Sequence, residues 1–407
     1  MGGGESPTNL SERALADLAG VPVAFVRRAV ELQLLRPGDG EASFRVADPS
    51  RVRLLLACDR AGLPPDAIAK AVREGRLSLA FMDLPQYRFA LFTGQTYREV
   101  CAERGLDFDV LTRLHEAQGI SIPGPDDPVR EDDLEMVGAL QMALLFGIPA
   151  EATVRMMRVY GESIRRMVAG ESHVYRTHVE EPLLSAGMDV GAMLESASEF
   201  GAQYISVMDR GLISMYHRQQ EHVWLANMVD RIEGALEEMG LLERLARPPA
   251  MCFFDVVGYT RLTEERGDLA AAELAASLAG VVHGVSLHHG GRAVKWLGDG
   301  VMFYFPDPGR AVESALQMVR ETASAGLPPA HVGRAAGPVV QQDGDYFGRT
   351  VNLASRIAAR AGQDEVLVSE DVVASAGQID GVRFADAGTA ELKNVAHPVR
   401  LWRATAP

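Results

Sequence analysis

Two carboxylates, Asp255 and Asp299, stand 44 residues apart in settings that suit a divalent cation and a phosphate chain. Asp255 lies at the end of the apolar, strand-like run in FFDVVGYT (Phe253 to Thr260). Asp299 lies in KWLGDGVMFYF (Lys295 to Phe305), in a Gly-flanked turn between two strand-like runs. Mg²⁺ is usually held by one or two carboxylates plus substrate phosphates. Two such carboxylates can hold two ions, one activating an attacking oxygen and one on the leaving group. Each Asp alone also reads as an ordinary strand-end turn residue. Further polar groups accompany them. Lys295 precedes Asp299 by four residues, an interval that places both on one face of a strand pair. DYFGRTVNLASR (Asp345 to Arg356) is a Gly-containing loop opening a helix, and its Asn352 and Arg356 share one helical face. ELKNV (Glu391 to Val395) places Lys393 in a turn. Together these groups suffice to hold a purine, a triphosphate and its metals. No Ser/His/Asp or Cys/His set stands out.

Sheet and helix elements must position these residues. From residue 250 onward, apolar strand-like runs (MCFFDVV, AVKWLG, VMFYF, PVVQQ, EVLVS, VRLWRA) alternate with helical stretches, the pattern of a sheet domain with packed helices. Arg247-Pro248-Pro249 is a rigid break just before the first of these strands.

The chain of 407 residues has room for two or three domains, and its 47% hydrophobic content is ordinary for a protein with a real core. A net charge of −15 argues against polyanion binding by the chain as a whole. Cys58, Cys101 and Cys252 are odd in number and lack metal-ligand spacing, which fits a reducing cytoplasm. The N-terminus lacks a signal pattern, and no run reads as a membrane span. The expected location is cytoplasmic.

Five segments are expected: a disordered tail over 1–8, a head over 9–85, a helical domain over 86–195, a linker helix over 196–247 and a sheet domain over 248–407. In the head, Ser11 is a plausible N-cap, Gly20 breaks a first helix, and Val23 to Leu35 gives a second apolar stripe before Pro37-Gly38. This helix-turn-helix spacing, followed by a wing and another helix pair, resembles a MerR-like winged head. Arg27 and Arg28 are its candidate DNA contacts. Residues 1–85 carry 11 acidic and 11 basic side chains, however, and a charge-neutral head is a weak phosphate binder. Residues 86–247 are rich in Ala, Leu, Met and Arg and read as helical, with the linker either one helix or two joined near Gly211.

FFDVVGYT, KWLGD, DYFGRTVNLASR and ELKN, in this order and spacing, resemble the catalytic domain of class III nucleotidyl cyclases. The resemblance implies an α+β catalytic domain with a ferredoxin-like βαββαβ core, preceded by an all-α regulatory domain. It implies a homodimer paired head-to-tail, with ATP bound at sites built from both chains. Asp255 and Asp299 of one chain would hold two Mg²⁺ or Mn²⁺ ions. From the other chain, Lys295 and Asp345 would read adenine, the Lys donating to a ring acceptor and the Asp accepting from the exocyclic amine. Guanylyl cyclases of the family usually place Glu and a small residue at these two positions. Asn352 would orient the ribose, Arg356 would stabilise charge on the reacting phosphate, and Lys393 would contact the terminal phosphates. The backbone at Val257 and Gly258 would lie against those phosphates. Gly300 and Arg334 depart from the family pattern, Arg334 standing where a smaller or apolar residue is usual.

The N-terminal layout resembles the regulatory region of mycobacterial-type soluble cyclases that are autoinhibited and pH-responsive. That implies a dimerising helical domain, an apolar pocket suited to a fatty acid, and a switch helix on which His217 and His222 are candidates for a pH response, histidine being the residue type suited to one. Two other readings use the same sequence: a DNA-binding regulator with a cyclase-like nucleotide sensor, and a lipid-responsive module over 86–247.

Overall fold

The computed structural model describes residues 10–38, 42–45, 48–83, 90–241, 248–298 and 300–406. The expected tail at 1–8, the Arg247 end of the linker and Asp299 lie outside the described residues. The chain divides into two compact units, Met1–Asp230 and Arg231–Pro407.

In the first unit, β1 (Leu10–Ser11) precedes α1 (Glu12–Ala19) and α2 (Val23–Glu31), and β2 (Ala42–Phe44) pairs back on β1. The Ser11 hydroxyl accepts the Ala14 N–H, so it caps α1, and Gly20 ends that helix at φ 66°, a left-handed conformation that glycine adopts without penalty. α3 (Asp48–Arg60) and α4 (Pro65–Arg73) complete a small core around Leu15, Val26, Leu35 and Val52. Arg27 is paired with Glu12, and Arg28 with Glu31 and Asp66. The two candidate DNA-contacting arginines are therefore already engaged within the chain.

β3 (Phe92–Thr96) pairs with β4 (Pro128–Arg130), a small sheet inside a stretch whose composition predicts helices only. Around it lie α5 (Tyr97–Arg104), α6 (Phe108–Gln118) and α7 (Glu131–Leu145). α5 opens on a complete capping box between Thr96 and Glu99. α8 (Ala150–Tyr175) continues through one π-helical turn into α9 (Glu181–Ser185). The last helix, α10 (Val190–Glu238), is one continuous helix through Gly211. His217 and His222 are exposed on it.

The second unit is a seven-stranded sheet. β5 (Ala250–Val256), α11 (Tyr259–His288), β6 (Arg292–Leu297), β7 (Gly300–Phe305), α12 (Pro308–Ser324) and β8 (Ala330–Ala336) follow in βαββαβ order. They lie as β8-β5-β7-β6, all antiparallel neighbours, the ferredoxin-like arrangement. β9 (Val340–Gln342) and β10 (Asp345–Phe347) form a separate hairpin before α13 (Arg349–Ala358). β11 (Val366–Ser369), α14 (Glu370–Ala376), β12 (Arg383–Ala390) and β13 (Val399–Thr405) then extend the sheet beyond β8.

Alternation along the strands separates two cores. Cys252, Phe254, Val301, Phe303 and Val332 face α11, α12 and α14. Met251, Met302, Ala335 and Leu367 face α13 and the Leu392–Val399 loop. Gly333 permits the close approach of α13, since a Cβ there would collide with the backbone of Ile357 and Ala358. One sequence expectation needs correction. Ala270–His288, within α11, is long and apolar enough by composition to cross a membrane. Its hydrophobicity is dispersed among alanines and glycines, so it does not read as a solid apolar run. Leu278, Val282 and Val285 of this stretch are buried in the sheet core.

Candidate active site

Asp255 is the penultimate residue of β5, where the strand emerges from the core. Its carboxylate is 44% exposed. Oδ1 accepts the Val256 N–H at 3.0 Å, and Oδ2 faces the His331 Nε2 at 3.8 Å. His331 is the cross-strand partner of Asp255 on β8, and its Nδ1 is buried without a hydrogen-bond partner among the described residues. This imidazole is absent from the sequence reading, because only the β5–β8 register brings it to Asp255. On the other side, Gly300 opposes Asp255 across β5–β7. A Cβ at 300 would lie 3.3 Å from Asp255 Oδ1 and 3.1 Å from the Phe254 carbonyl oxygen. Gly300 is thus the residue that leaves Asp255 room.

The chain turns sharply after Asp255. The Val257 N–H donates to the Pro329 carbonyl at 2.8 Å, and Gly258 caps α11 at φ 79°. The exposed Val257–Gly258 segment therefore leads into a helix N-terminus, whose unpaired N–H groups favour anions. β6 ends at Leu297 and β7 begins at Gly300, opposite it. Asp299, between them in sequence, is outside the described residues.

Lys295 and Asp345 are brought together: the Lys295 ammonium donates to Asp345 Oδ2. Asp345 Oδ1 accepts the Tyr346 N–H at 2.7 Å, which fixes the carboxylate at the start of β10. Both side chains remain partly exposed. Lys295 belongs to the α13 face of the sheet, since its cross-strand partner is Met302.

α13 buries Val351, Leu353, Ala354, Ile357 and Ala358 and turns its opposite side outward. Asn352 is exposed there and Arg356 half-buried. Among the described residues neither side chain is engaged in a hydrogen bond or ion pair. Thr350 anchors the helix start by donating to the Pro338 carbonyl at 2.8 Å. Lys393 is exposed in a turn held by the Val395 N–H on the Leu392 carbonyl at 3.0 Å, with Leu392 buried beneath it. Lys295, Asp345 and Asp255 thus belong to the sheet and its hairpin, whereas Asn352 and Arg356 look away from the sheet that carries them.

Asp255 offers a hard oxygen donor at a partly solvated strand end. Among the described residues no group of three His, Cys, Asp or Glu side chains could enclose a metal. Such a donor set fits a cation whose shell is completed by phosphate oxygens and water rather than by a protein cage.

Arg334 lies outside this constellation. It is fully buried in the α11–α12 core, with the Cys252 thiol beside its guanidinium. Its guanidinium lies 5.0 Å from the Phe305 ring centroid, and its cross-strand partner is Cys252. Burial pushes the guanidinium below its ordinary range, opposed by Cys252, and pushes the buried Cys252 thiol up.

Comparison with known proteins places these features in context. Residues 69–220 match the family described as "Adenylate cyclase regulatory domain". The chain is 28% identical over 315 residues to a "pH-sensitive adenylate cyclase" of Mycobacterium tuberculosis, covering 75% of this chain and 77% of that protein. It is 29% identical over 266 residues to an adenylate cyclase of Streptomyces coelicolor, covering 65% and 67%. Among solved structures, an adenylate/guanylate cyclase/hydrolase from Silicibacter pomeroyi matches 40% of this chain and 97% of its own at 27% identity, with a TM-score of 0.35.

Proposed function

We propose that this chain, a class III adenylyl cyclase of the soluble bacterial type with a regulatory domain over residues 69–220, converts ATP into 3′,5′-cyclic AMP and pyrophosphate at composite sites of a homodimer. One observation carries the dimer reading. Asn352 and Arg356 face outward from α13, while Asp255 stands at the end of β5. A site that uses all of them draws on two chains related by a two-fold axis, an arrangement that generates two equivalent sites.

The reaction requires the ribose 3′-oxygen to attack the α-phosphorus and expel pyrophosphate. The protein contributes positioning and stabilisation of spread-out negative charge. The Lys295 ammonium donates to a purine ring nitrogen and the Asp345 carboxylate accepts from the exocyclic amine, which selects adenine. Asn352 orients the ribose. Arg356 donates to the oxygens of the reacting phosphate, where a planar guanidinium suits the developing charge. Lys393 and the Val257–Gly258 backbone hold the terminal phosphates. Asp255 and Asp299 would hold two Mg²⁺ or Mn²⁺ ions. A divalent cation bound there would lower the pKa of the attacking hydroxyl and neutralise charge on the leaving group.

Residues N-terminal to the catalytic unit regulate this activity, and the exposed His217 and His222 of α10 are candidates for a pH response. The unpaired cysteines accord with a cytoplasmic location. The alternative reading, DNA binding by the head through Arg27 and Arg28, is tested by a salt-dependent gel shift, since the exposed ion pairs these arginines make can exchange for phosphates. Purified full-length protein with Mn²⁺ and ATP should produce cyclic AMP, and Asp255→Ala should abolish it. A wild-type chain that yields no product would overturn the assignment.

A further inference from the structure

Asp345 is carried by a hairpin that, among the described residues, shares no strand pairing with the seven-stranded sheet, yet it meets Lys295 on β6. We propose that Arg292, lying against the stacked rings of Tyr304 and Tyr346, is the positioning residue that sets this pair and thereby the choice of purine. The proposal rests on the cyclase reading above and extends it to a residue outside the substrate-contacting set.

Arg292 opens β6 opposite Tyr304 of β7. Its guanidinium carbon lies 4.8 Å from the Tyr304 ring centroid and 5.4 Å from that of Tyr346. The two rings stack on each other at 4.7 Å with an interplanar angle of 14°. The guanidinium also donates to the Tyr346 hydroxyl. Tyr346 is the residue after Asp345, is 5% exposed, and gives its N–H to the Asp345 carboxylate. The clamp therefore grips the hairpin at the residue beside the base-reading acid.

A β-bulge completes the geometry. Arg292 and Lys295 are three residues apart, which in a regular strand would place them on opposite faces. The register shifts between Ala293 and Lys295, so their partners are Tyr304 and Met302, two apart on β7 and on one face. Bulges re-aim side chains in this way. Lys295 and the clamp thus share a face, and the hairpin delivers Asp345 to the same side. A guanidinium can stack flat on aromatic faces and donate at its edge, which an ammonium cannot reproduce.

The test uses full-length Arg292→Met, Arg292→Lys and Tyr346→Phe, assayed with Mn²⁺ and either ATP or GTP. Loss of the clamp displaces Asp345 from Lys295. Arg292→Met should therefore raise KM for ATP about tenfold or more and narrow the preference for ATP over GTP, with kcat moving less. Arg292→Lys, which keeps the charge but not the planar stack, should recover part of the selectivity. Tyr346→Phe keeps the stack and loses only the hydroxyl, so it should give a smaller shift in the same direction. It serves as the readout if Arg292→Met does not fold. Wild-type KM and ATP:GTP preference in the folded variants, with only a lower melting temperature, would overturn the proposal while leaving the cyclase reading intact. A wild-type protein that makes no cyclic AMP would instead overturn the reading on which it rests.

Discussion

The Lys295 ammonium and the Asp345 carboxylate, fifty residues apart in sequence, form an ion pair between β6 and the β10 hairpin. The pair can stay intact while a base is read. A Lys has three donors and a carboxylate about four acceptor positions, so each retains capacity for adenine. Lys295→Glu removes the donor and sets two acids side by side. Because a hydrogen bond to a charged group is worth about 1.5–3 kcal/mol, kcat/KM for ATP should fall roughly tenfold to a hundredfold. Steady-state kinetics with ATP and GTP check this, and unchanged ATP selectivity would remove the base-reading role.

Gly300 leaves the space in which the Asp255 carboxylate sits. Gly300→Val should push that carboxylate aside without emptying the core. The expected result is a several-fold increase in the Mn²⁺ concentration giving half-maximal activity, together with a lower melting temperature, because a Cβ at 300 also lies 3.1 Å from the Phe254 carbonyl oxygen. A Mn²⁺ titration of activity measures it. An unchanged titration would show that Asp255 does not depend on this gap.

Arg334 places a guanidinium in an apolar core, against the Cys252 thiol. Replacing buried ionic groups with apolar residues of similar volume is often neutral or stabilising by about 1–4 kcal/mol. Arg334→Leu or Arg334→Met should therefore raise the melting temperature of the catalytic unit. A clear loss of stability in both would reveal a compensating partner for the charge.

Several carboxylates of the first unit are held below their ordinary range. The Arg98 guanidinium does this for Asp126 and that of Arg113 for Glu151, by hydrogen bonding, while the Thr96 backbone N–H does it for Glu99. A depressed folded-state pKa gives stability that is present above the unfolded value and lost as pH falls through the folded one. The melting temperature of this unit should thus hold from neutrality to about pH 5 and decline below about pH 4. Thermal melts across that range check the sign, and a rise on acidification would contradict it.

Much of the catalytic unit was readable from residue types. Runs such as MCFFDVV and VMFYF are too apolar and too short for anything but buried strands, and the Gly-containing turns between elements mark where polar groups cluster. The pairing of Asp255 with His331, the room left by Gly300 and the Arg292 clamp were not readable. Each depends on strand register, and the bulge between Ala293 and Lys295 reverses the face that a count of residues predicts. In the first unit, composition concealed the β3–β4 pair, because strands of five and three residues barely perturb a helical pattern. The engagement of Arg27 and Arg28 also appears only in three dimensions, since Arg27 pairs with Glu12 and Arg28 with Asp66, 15 and 38 residues away.

The composite site is the central claim, and complementation between two inactive chains tests it most directly. If Asp255 holds a metal and Arg356 serves the phosphate of the opposite chain's site, Asp255→Ala and Arg356→Ala should each be inactive alone. In a mixed dimer one site carries both lesions and the other carries neither. Mixing the refolded or co-expressed variants should therefore restore about a quarter of wild-type cyclic AMP formation, since half of the dimers are mixed and each has one intact site. Restoration to that order is the predicted result. No restoration, in mixtures shown by differential tagging to contain mixed dimers, would contradict a site shared between chains.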